Sequence, residues 1–252
     1  MIAHQAEAIV LRTWPVHEAD QIVSLLTRDA GKLKGVAKSA ARSRRRFGGA
    51  LEPMTHVRAS YVVRPRQELV RLESFEIIRS PLSDPIDYPR IAALAFYAEV
   101  LEEMLPENDP QDAIFRLLVS VLGETQSGRV WMPVTYFALW IMRLMGWMPE
   151  LTHCTACRHR FSDGEPAWWR PQTDGLFCEQ HRSLGSAALS PLSLLLAARM
   201  LRAPVSAFAG EPWSSRRAAD LRRFSARGLE RHLEGPGDQR LTSLSTLLRL
   251  GS

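Results

Sequence analysis

A multi-domain α+β protein is predicted, with a five-stranded barrel over residues 1–80 followed by an all-α domain over 81–252 that carries an inserted zinc knuckle at about 151–185. Three observations predict it. Apolar residues alternate with a period of two in the first eighty positions, the period lengthens to 3.6 beyond a turn-rich linker, and cysteines fall in paired spacings after residue 150.

The strands come first. Glu7–Arg12, Ile22–Arg28 and Lys32–Lys38 are short β-rich runs, and Asp29-Ala30-Gly31 is a hairpin signal between the last two. His56–Val63 alternates cleanly, with Val57, Ala59, Tyr61 and Val63 on one face, and Leu69–Ile77 is a fifth run. Five short strands in so little chain suit a closed or nearly closed barrel, of which the OB-fold is the commonest five-stranded form. In the third run Lys32, Lys34 and Lys38 share one face while Leu33, Gly35 and Ala37 take the other. This stripe continues into a basic arm, Arg42, Arg44, Arg45 and Arg46, that ends at Phe47-Gly48-Gly49 with no carboxylate inside the segment. Charge of one sign at this density is expected to bind a polyanion.

Ser80-Pro81-Leu82-Ser83-Asp84-Pro85 forms the linker. Beyond it Ile91, Leu94, Ala95, Ala98, Leu101 and Leu105 keep a helical repeat that Pro106 ends, and Asp109-Pro110 opens a second helix with Ile114, Leu117, Leu118, Val121 and Leu122 inside. Val130–Trp147 is apolar on nearly every side, as expected of a central buried helix, and its tryptophans read as core. Ser190-Pro191 starts another helix, Ser as N-cap and Pro at the first helical position. The last long helix is expected over Ser214–Leu233, with Arg216, Arg223 and Arg227 in solvent and Leu221, Phe224, Gly228 and His232 facing inward.

The formal charge of +5 conceals an uneven distribution. Residues 1–82 hold 14 basic and 8 acidic side chains, residues 83–150 hold 4 and 10, and residues 151–252 hold 14 and 9. Basic ends around an acidic middle favour polyanion binding by particular surfaces. The N-terminus lacks the pattern of a signal peptide, and the apolar run Val134–Met145 is too short to span a bilayer and contains Arg143. A cytoplasmic, nucleoid-associated protein is expected.

Cys154-x-x-Cys157 and Cys178-x-x-His181 place two ligand pairs about twenty residues apart, able to close a tetrahedron around Zn²⁺. Ala167–Arg170 and Leu176–Cys178 are expected to pair as a hairpin around Asp174-Gly175, with Trp168-Trp169 as the knuckle's small core or, alternatively, as a stacking surface for unpaired bases. His153 and His159 stand as alternative fourth ligands. Four protein ligands leave no open position, so one structural zinc per chain is expected. No paired carboxylates, nucleophile elbow or Gly-rich phosphate loop stands out, and no enzyme is predicted.

Several short motifs, in order, resemble the bacterial recombination-mediator RecO family. They are Ala8-Ile9-Val10-Leu11-Arg12, Glu18-Ala19-Asp20, Gly31-Lys32-Leu33, Ala37-Lys38, Arg42, Arg46-Phe47-Gly48, Leu51-Glu52-Pro53, the two-knuckle insert, and Leu221 to Leu233 closing in His-Leu. The chain departs from the family's usual pattern with Ser39 in place of Gly, Ala41 at an often basic position, the added charge of Arg45, and His181 where Cys is usual. The resemblance implies an N-terminal OB-fold, a helical C-terminal domain and a non-catalytic role. It implies binding of single- and double-stranded DNA, annealing of complementary strands, pairing with RecR, and help to RecA in replacing single-stranded-DNA-binding protein (SSB), whose C-terminal tail is also bound. On this footing Lys32, Lys34, Lys38, Arg42, Arg44, Arg45 and Arg46 are expected to contact DNA phosphates. Some members of the family lack the metal, so zinc at Cys154, Cys157, Cys178 and His181 is expected from the ligand spacing of this sequence and not from the resemblance. The rival expectations are an adaptor whose basic arm docks an acidic protein, and a zinc-finger regulator.

Overall fold

The structure, a computed structural model, describes residues 2–16, 18–83, 85–126, 130–233 and 242–250; Asp84 of the linker lies outside them. By its contacts the chain divides into two compact units, Met1–Leu122 and Gly123–Ser252.

Five strands open the first unit: β1 (Ile2–Pro15), β2 (Gln21–Thr27), β3 (Gly31–Ala37), β4 (His56–Val63) and β5 (Val70–Arg79). Their order is β1-β2-β3-β5-β4, and β4 pairs back onto β1, so the ladder closes into a barrel. All neighbours are antiparallel except β3 and β5, joined in parallel through Gly35–Val70, Val36–Arg71 and Ala37–Leu72. The 14-residue β1 makes closure possible because its first half pairs with β4 and its second half with β2. Its outer turns, Ile2–Glu7 and Thr13–Pro15, carry little apolar pattern, so periodicity marks only the middle of the strand.

The barrel interior holds Ala8, Val10, Val23, Leu25, Leu33, Ala37, Val57, Ala59, Tyr61 and Leu72. Alanines and Gly35 keep it narrow: a Cβ on Gly35 would stand 2.7 Å from Leu72 Cγ. The expected inward faces of β3 and β4 are the ones observed, except that Val63 at the strand end is exposed. Gly31 turns the β2–β3 hairpin at φ +73°. Phe47, on the short helix α1 (Arg44–Phe47), is buried in the same core and meets Phe75 edge-on at 5.4 Å.

Strand β2 is buried on both faces, since Leu26 and Ser24 lie opposite the interior residues Val23 and Leu25 and are still covered. The cover is α2 (Tyr88–Met104), started by the Asp87 side chain accepting from Arg90 N–H at 2.8 Å. Glu102 of this helix accepts from Ser24 Oγ at 2.6 Å. The buried Arg90 returns along the linker to the carbonyls of Pro85 and Pro81. Next comes α3 (Asp112–Gln126), where Asp112 meets Arg28 at 2.9 Å and Phe115 packs on His56.

The second unit is built on α4 (Trp131–Leu144), buried along ten of its residues from Met132 to Met142. It packs against α6 (Ala219–Leu233), where Gly228 admits the Met142 methyl: a Cβ there would be 2.5 Å from it. Helix α5 (Pro191–Met200) begins at Ser190, whose hydroxyl accepts from Ser193 N–H, as expected. Two boundaries differ from expectation. Residues 214–218 are irregular, bends and a turn, because Ala218 at φ +54° interrupts the helical path just before α6; the guanidiniums of Arg217 and Arg222 donate to the carbonyls of Pro212 and Ser215 there. Trp147 lies beyond α4, where Gly146 at φ +73° ends the helix and lets the indole stack on His232 at 4.8 Å. A further helix, α7 (Thr242–Leu250), had no counterpart in the sequence reading.

In the insert the expected hairpin reduces to one bridge, Trp168 to Phe177. Strand β6 (Ala167–Trp169) pairs instead with β7 (Ala187–Leu189), a partner beyond the second ligand pair. The residues between Trp169 and Leu176 are spent on turns, so the second arm is too short to continue the ladder. Among the described residues no helix is long and apolar enough to cross a membrane.

Candidate nucleic-acid interface and metal centre

Lys32 and Lys34 do not form the open positive face expected from their alternation. That face of β3 is covered by the end of α2 and the segment after it. Lys32 is only 6% exposed, and its ammonium donates to the Glu102 carbonyl at 2.5 Å, a carbonyl at the electronegative end of the helix. Lys34 pairs with Glu107 at 2.7 Å, and this carboxylate holds the ammonium protonated to higher pH than usual. Residues 107–109 run along β3: Asn108 N–H donates to the Lys32 carbonyl, and a Cβ on Gly31 would strike the Asp109 carbonyl. The acidic middle of the sequence thus neutralises Lys34 through Glu107, while Lys32 is taken out of solvent by a helix-end carbonyl.

The remaining cations diverge. Lys38, Arg44 and Arg45 are exposed, and their side chains meet no acidic group among the described residues. Arg42 reaches Glu18 at 3.2 Å, but both side chains stay largely in water, at 71% and 90% exposure, so the pair contributes little. Arg46 is a brace: its guanidinium donates to Ser43 Oγ at 3.0 Å and the Lys38 carbonyl at 2.6 Å and lies 5.1 Å from the Phe47 ring centre. With Phe47 buried, the arm is pinned to the barrel at its far end. At its near end Asp20 accepts from Ser39 N–H at 2.7 Å and the Ala19 carbonyl from Ala41 N–H at 3.1 Å. Ser39 takes φ +53°, a conformation that glycine adopts at less cost. The Glu18-Ala19-Asp20 motif is therefore the arm's cradle, a role the sequence motif alone did not disclose.

In the second unit Cys154, Cys157, Cys178 and His181 bring their ligand atoms within 4.8 Å of one another. Cys157 and Cys178 sulfurs are 3.8 Å apart, and His181 Nδ1 lies 3.3 Å from Cys178 Sγ and 3.9 Å from Cys154 Sγ. Tetrahedral zinc, with Zn–S near 2.3 Å and Zn–N near 2.0 Å, requires edges of about 3.5–3.8 Å. The donor set fits that ion. Each pair sits on a tight turn, closed by Arg158 N–H to the Cys154 carbonyl and by His181 N–H to the Cys178 carbonyl. Gly175 permits the approach of Thr155, whose Oγ1 would be 2.3 Å from an added Cβ.

His153 and His159 are engaged elsewhere, His153 with Glu150 and His159 with Glu165 at 2.9 Å. Of the three histidines, His181 is therefore the one aimed at the sulfurs. Burial pushes the Cys154 thiol up, but the N–H groups of Cys157, Cys178 and Ala156 outweigh it and bring it down to about 6. Thiolates this close repel one another, which a dication relieves.

Trp168 packs on this centre with Phe161, and Arg182 lies over its ring at 4.6 Å. Trp169 turns the other way and meets Phe224 of α6 edge-on at 5.7 Å, so only one of the two tryptophans belongs to the knuckle. Arg216, Arg223 and Arg227 are exposed as expected, and His232 packs on Trp147. Arg222 was missed. It is buried beneath Trp131, donates to Thr135 Oγ1 and the carbonyls of Arg217 and Ser215, and burial lowers its guanidinium to about 10. Its place among arginines at 216, 217, 222, 223 and 227 gave no sign of which would turn inward.

Comparison with known proteins agrees with both halves. Residues 1–81 match the family model "Recombination protein O N terminal" and residues 86–240 match "Recombination protein O C terminal". The chain is 54% identical over 230 residues to a DNA repair protein RecO of Koribacter versatilis, covering 91% of this chain and 93% of that protein. It is 33% identical over 234 residues to one of Anaeromyxobacter dehalogenans, with 89% of each covered, and 31% identical over 238 residues to one of a Nocardioides species, covering 92% and 95%. With both halves matched in order and relatives aligned along nearly their whole lengths, the chain belongs to the RecO family.

Proposed function

We propose that this protein is a non-enzymatic DNA-binding mediator of recombinational repair. The observation that carries the proposal is the exposed trio Lys38, Arg44 and Arg45, cations with no acidic partner among the described residues, on an arm anchored by Phe47. The strand order β1-β2-β3-β5-β4 supports reading the barrel as an OB-fold, a frame that presents loops to nucleic acid. Phosphates are the polyanion such an arm suits, and phosphate contacts position DNA without reading its sequence, so single and double strands should both bind. Annealing then follows from charge: neutralising two strands removes their repulsion while their bases stay free to pair, with no chemical step. Family membership and the relatives' name, DNA repair protein, support placing this activity beside RecR, RecA and the tail of SSB, in the cytoplasm at the nucleoid.

Lys32 and Lys34 are left out of the proposed contact set, leaving Lys38, Arg42, Arg44, Arg45 and Arg46. Cys154, Cys157, Cys178 and His181 would hold one zinc. Bound there, the ion supplies a cross-link between the two turns; the residues themselves position the ligand atoms through the Thr155–Leu176 and Cys154–His159 backbone bonds.

The test is DNA binding by fluorescence anisotropy across a salt series. Three to five phosphate contacts give a slope of log K against log salt of about −2 to −4.5. The Lys38→Glu/Arg44→Glu/Arg45→Glu variant should bind about a hundredfold more weakly and lose annealing with it. Unchanged affinity in a folded variant would refute the proposal.

A further inference from the structure

Beside the basic arm lies a cavity of about 240 Å³, walled by Thr13 and Gln21 of β1 and β2 and by Ala41, Ser43, Arg44 and Glu52. Leu51 adds apolar surface, and the buried Phe47 forms part of the floor. The space is below the ~300–1,000 Å³ of sites for drug-sized ligands, and it suits a single flat ring system. Thr13, Gln21 and Glu52 have side-chain polar groups without an intramolecular partner among the described residues. Gly49, at φ +73° with open space where a Cβ would stand, keeps the rim clear.

We infer that this cavity is a slot for one unpaired nucleobase carrying an exocyclic amine, while the adjacent phosphates lie on Arg44 and its neighbours. The inference rests on the DNA-binding reading and adds a base-recognition site to it. A polymer is favoured over a free nucleotide because the cations extend beyond the cavity, from Lys38 to Arg45. Arg44 and Glu52 stand in the same wall, so a backbone phosphate is held at the guanidinium while the carboxylate is left to accept from an amine of the attached base. Cytosine offers N4–H₂ to such an acceptor, whereas thymine offers only the O4 acceptor at the same place. A base held in a duplex has its amine engaged in pairing and does not leave the stack without cost. The slot therefore responds to unpaired strands alone.

The test uses the full chain with oligo-dC, oligo-dT and a duplex of equal length at neutral pH. Oligo-dC should bind about three- to tenfold tighter than oligo-dT, a modest contrast for a base-edge contact. Glu52→Gln, which can donate as well as accept, should erase the contrast. Ala41→Leu, at an exposed wall position, should weaken oligo-dC binding to the level of oligo-dT and leave duplex affinity unchanged. Equal affinity for oligo-dC and oligo-dT in the unaltered protein, or a preference that survives both substitutions, overturns the slot. If equal affinity is accompanied by loss of binding in the Lys38/Arg44/Arg45 reversal, only the slot falls. Full binding by that reversal would remove the DNA-binding reading as well.

Discussion

Seven cations were expected to act alike, and their neighbours divide them. Lys34 spends its charge on Glu107, whereas Arg45 is exposed and meets no acidic group among the described residues. Lys34→Ala should therefore leave DNA affinity within about twofold and cost ~0–1 kcal/mol of stability, as for other half-exposed pairs. Arg45→Ala should weaken binding to every sequence alike and reduce the magnitude of the salt slope by about 1. Parallel salt titrations of the two variants check both outcomes; matching losses would mean that the Lys34–Glu107 pair opens to admit DNA. Arg222 stands at the other extreme, a buried guanidinium that satisfies two carbonyls. Arg222→Ala should cost ~2–4 kcal/mol in chemical denaturation without changing the salt slope of DNA binding.

At the scale of elements, two junctions carry measurable consequences. Asp220, at the start of α6, accepts from Ser193 Oγ at 2.6 Å and Ser190 N–H at 2.7 Å, binding the first turn of α5 to α6. Burial pushes this carboxyl up, but the hydrogen bonds from Ser193, Ser190 and Leu221 outweigh it and leave it below its ordinary range. A carboxyl depressed by folding stabilises the native state in full above its unfolded value, near pH ~4, and loses that contribution as pH falls through its folded value. Asp220→Asn should thus lower Tm at neutral pH and flatten the fall in stability below about pH 4. A variant whose acid limb matches the unaltered protein would assign the pH response to other carboxylates. The second junction is the insert. Protein purified without chelators should carry about one zinc per chain, and removing it should lower Tm by about 5–10 °C and expose Trp168 to quenchers. Less than half an equivalent of metal in that preparation would contradict zinc at this centre.

Across the whole molecule, legibility in the sequence followed the range of the forces involved. The strands β2, β3 and β4 and the existence of helices α2 to α5 were readable because turns and caps are local: Asp29-Ala30-Gly31 turns a hairpin and Ser190-Pro191 starts a helix in any context. The buried face of α2 was misread, since Ile91 and Ala95 of the expected repeat are exposed while Ala92, Phe96, Tyr97 and Val100 are buried. The Cys-x-x-Cys and Cys-x-x-His spacings were readable for the same reason, since each pair is made by one turn. The full length of β1 was hidden because a strand that changes partners midway has two burial patterns laid end to end. The pairing of β6 with β7 was hidden because it joins residues across the second knuckle.

What the sequence determined by itself was the inventory: an α+β chain, three cysteines and a histidine in paired spacings that could hold a metal, and a cationic arm without carboxylates of its own. Only the tertiary structure decided which of those charges are available. Folding lays α2 and residues 107–109 over β3, so the Glu102 carbonyl takes up Lys32 and the Glu107 carboxylate pairs with Lys34, each from about seventy residues away in the chain. Along the chain those groups are far apart, and Coulomb energy depends on distance in space, which the backbone path sets. The same path turns His181 toward the sulfurs while His153 and His159 find carboxylates, and it leaves Lys38, Arg44 and Arg45 facing water.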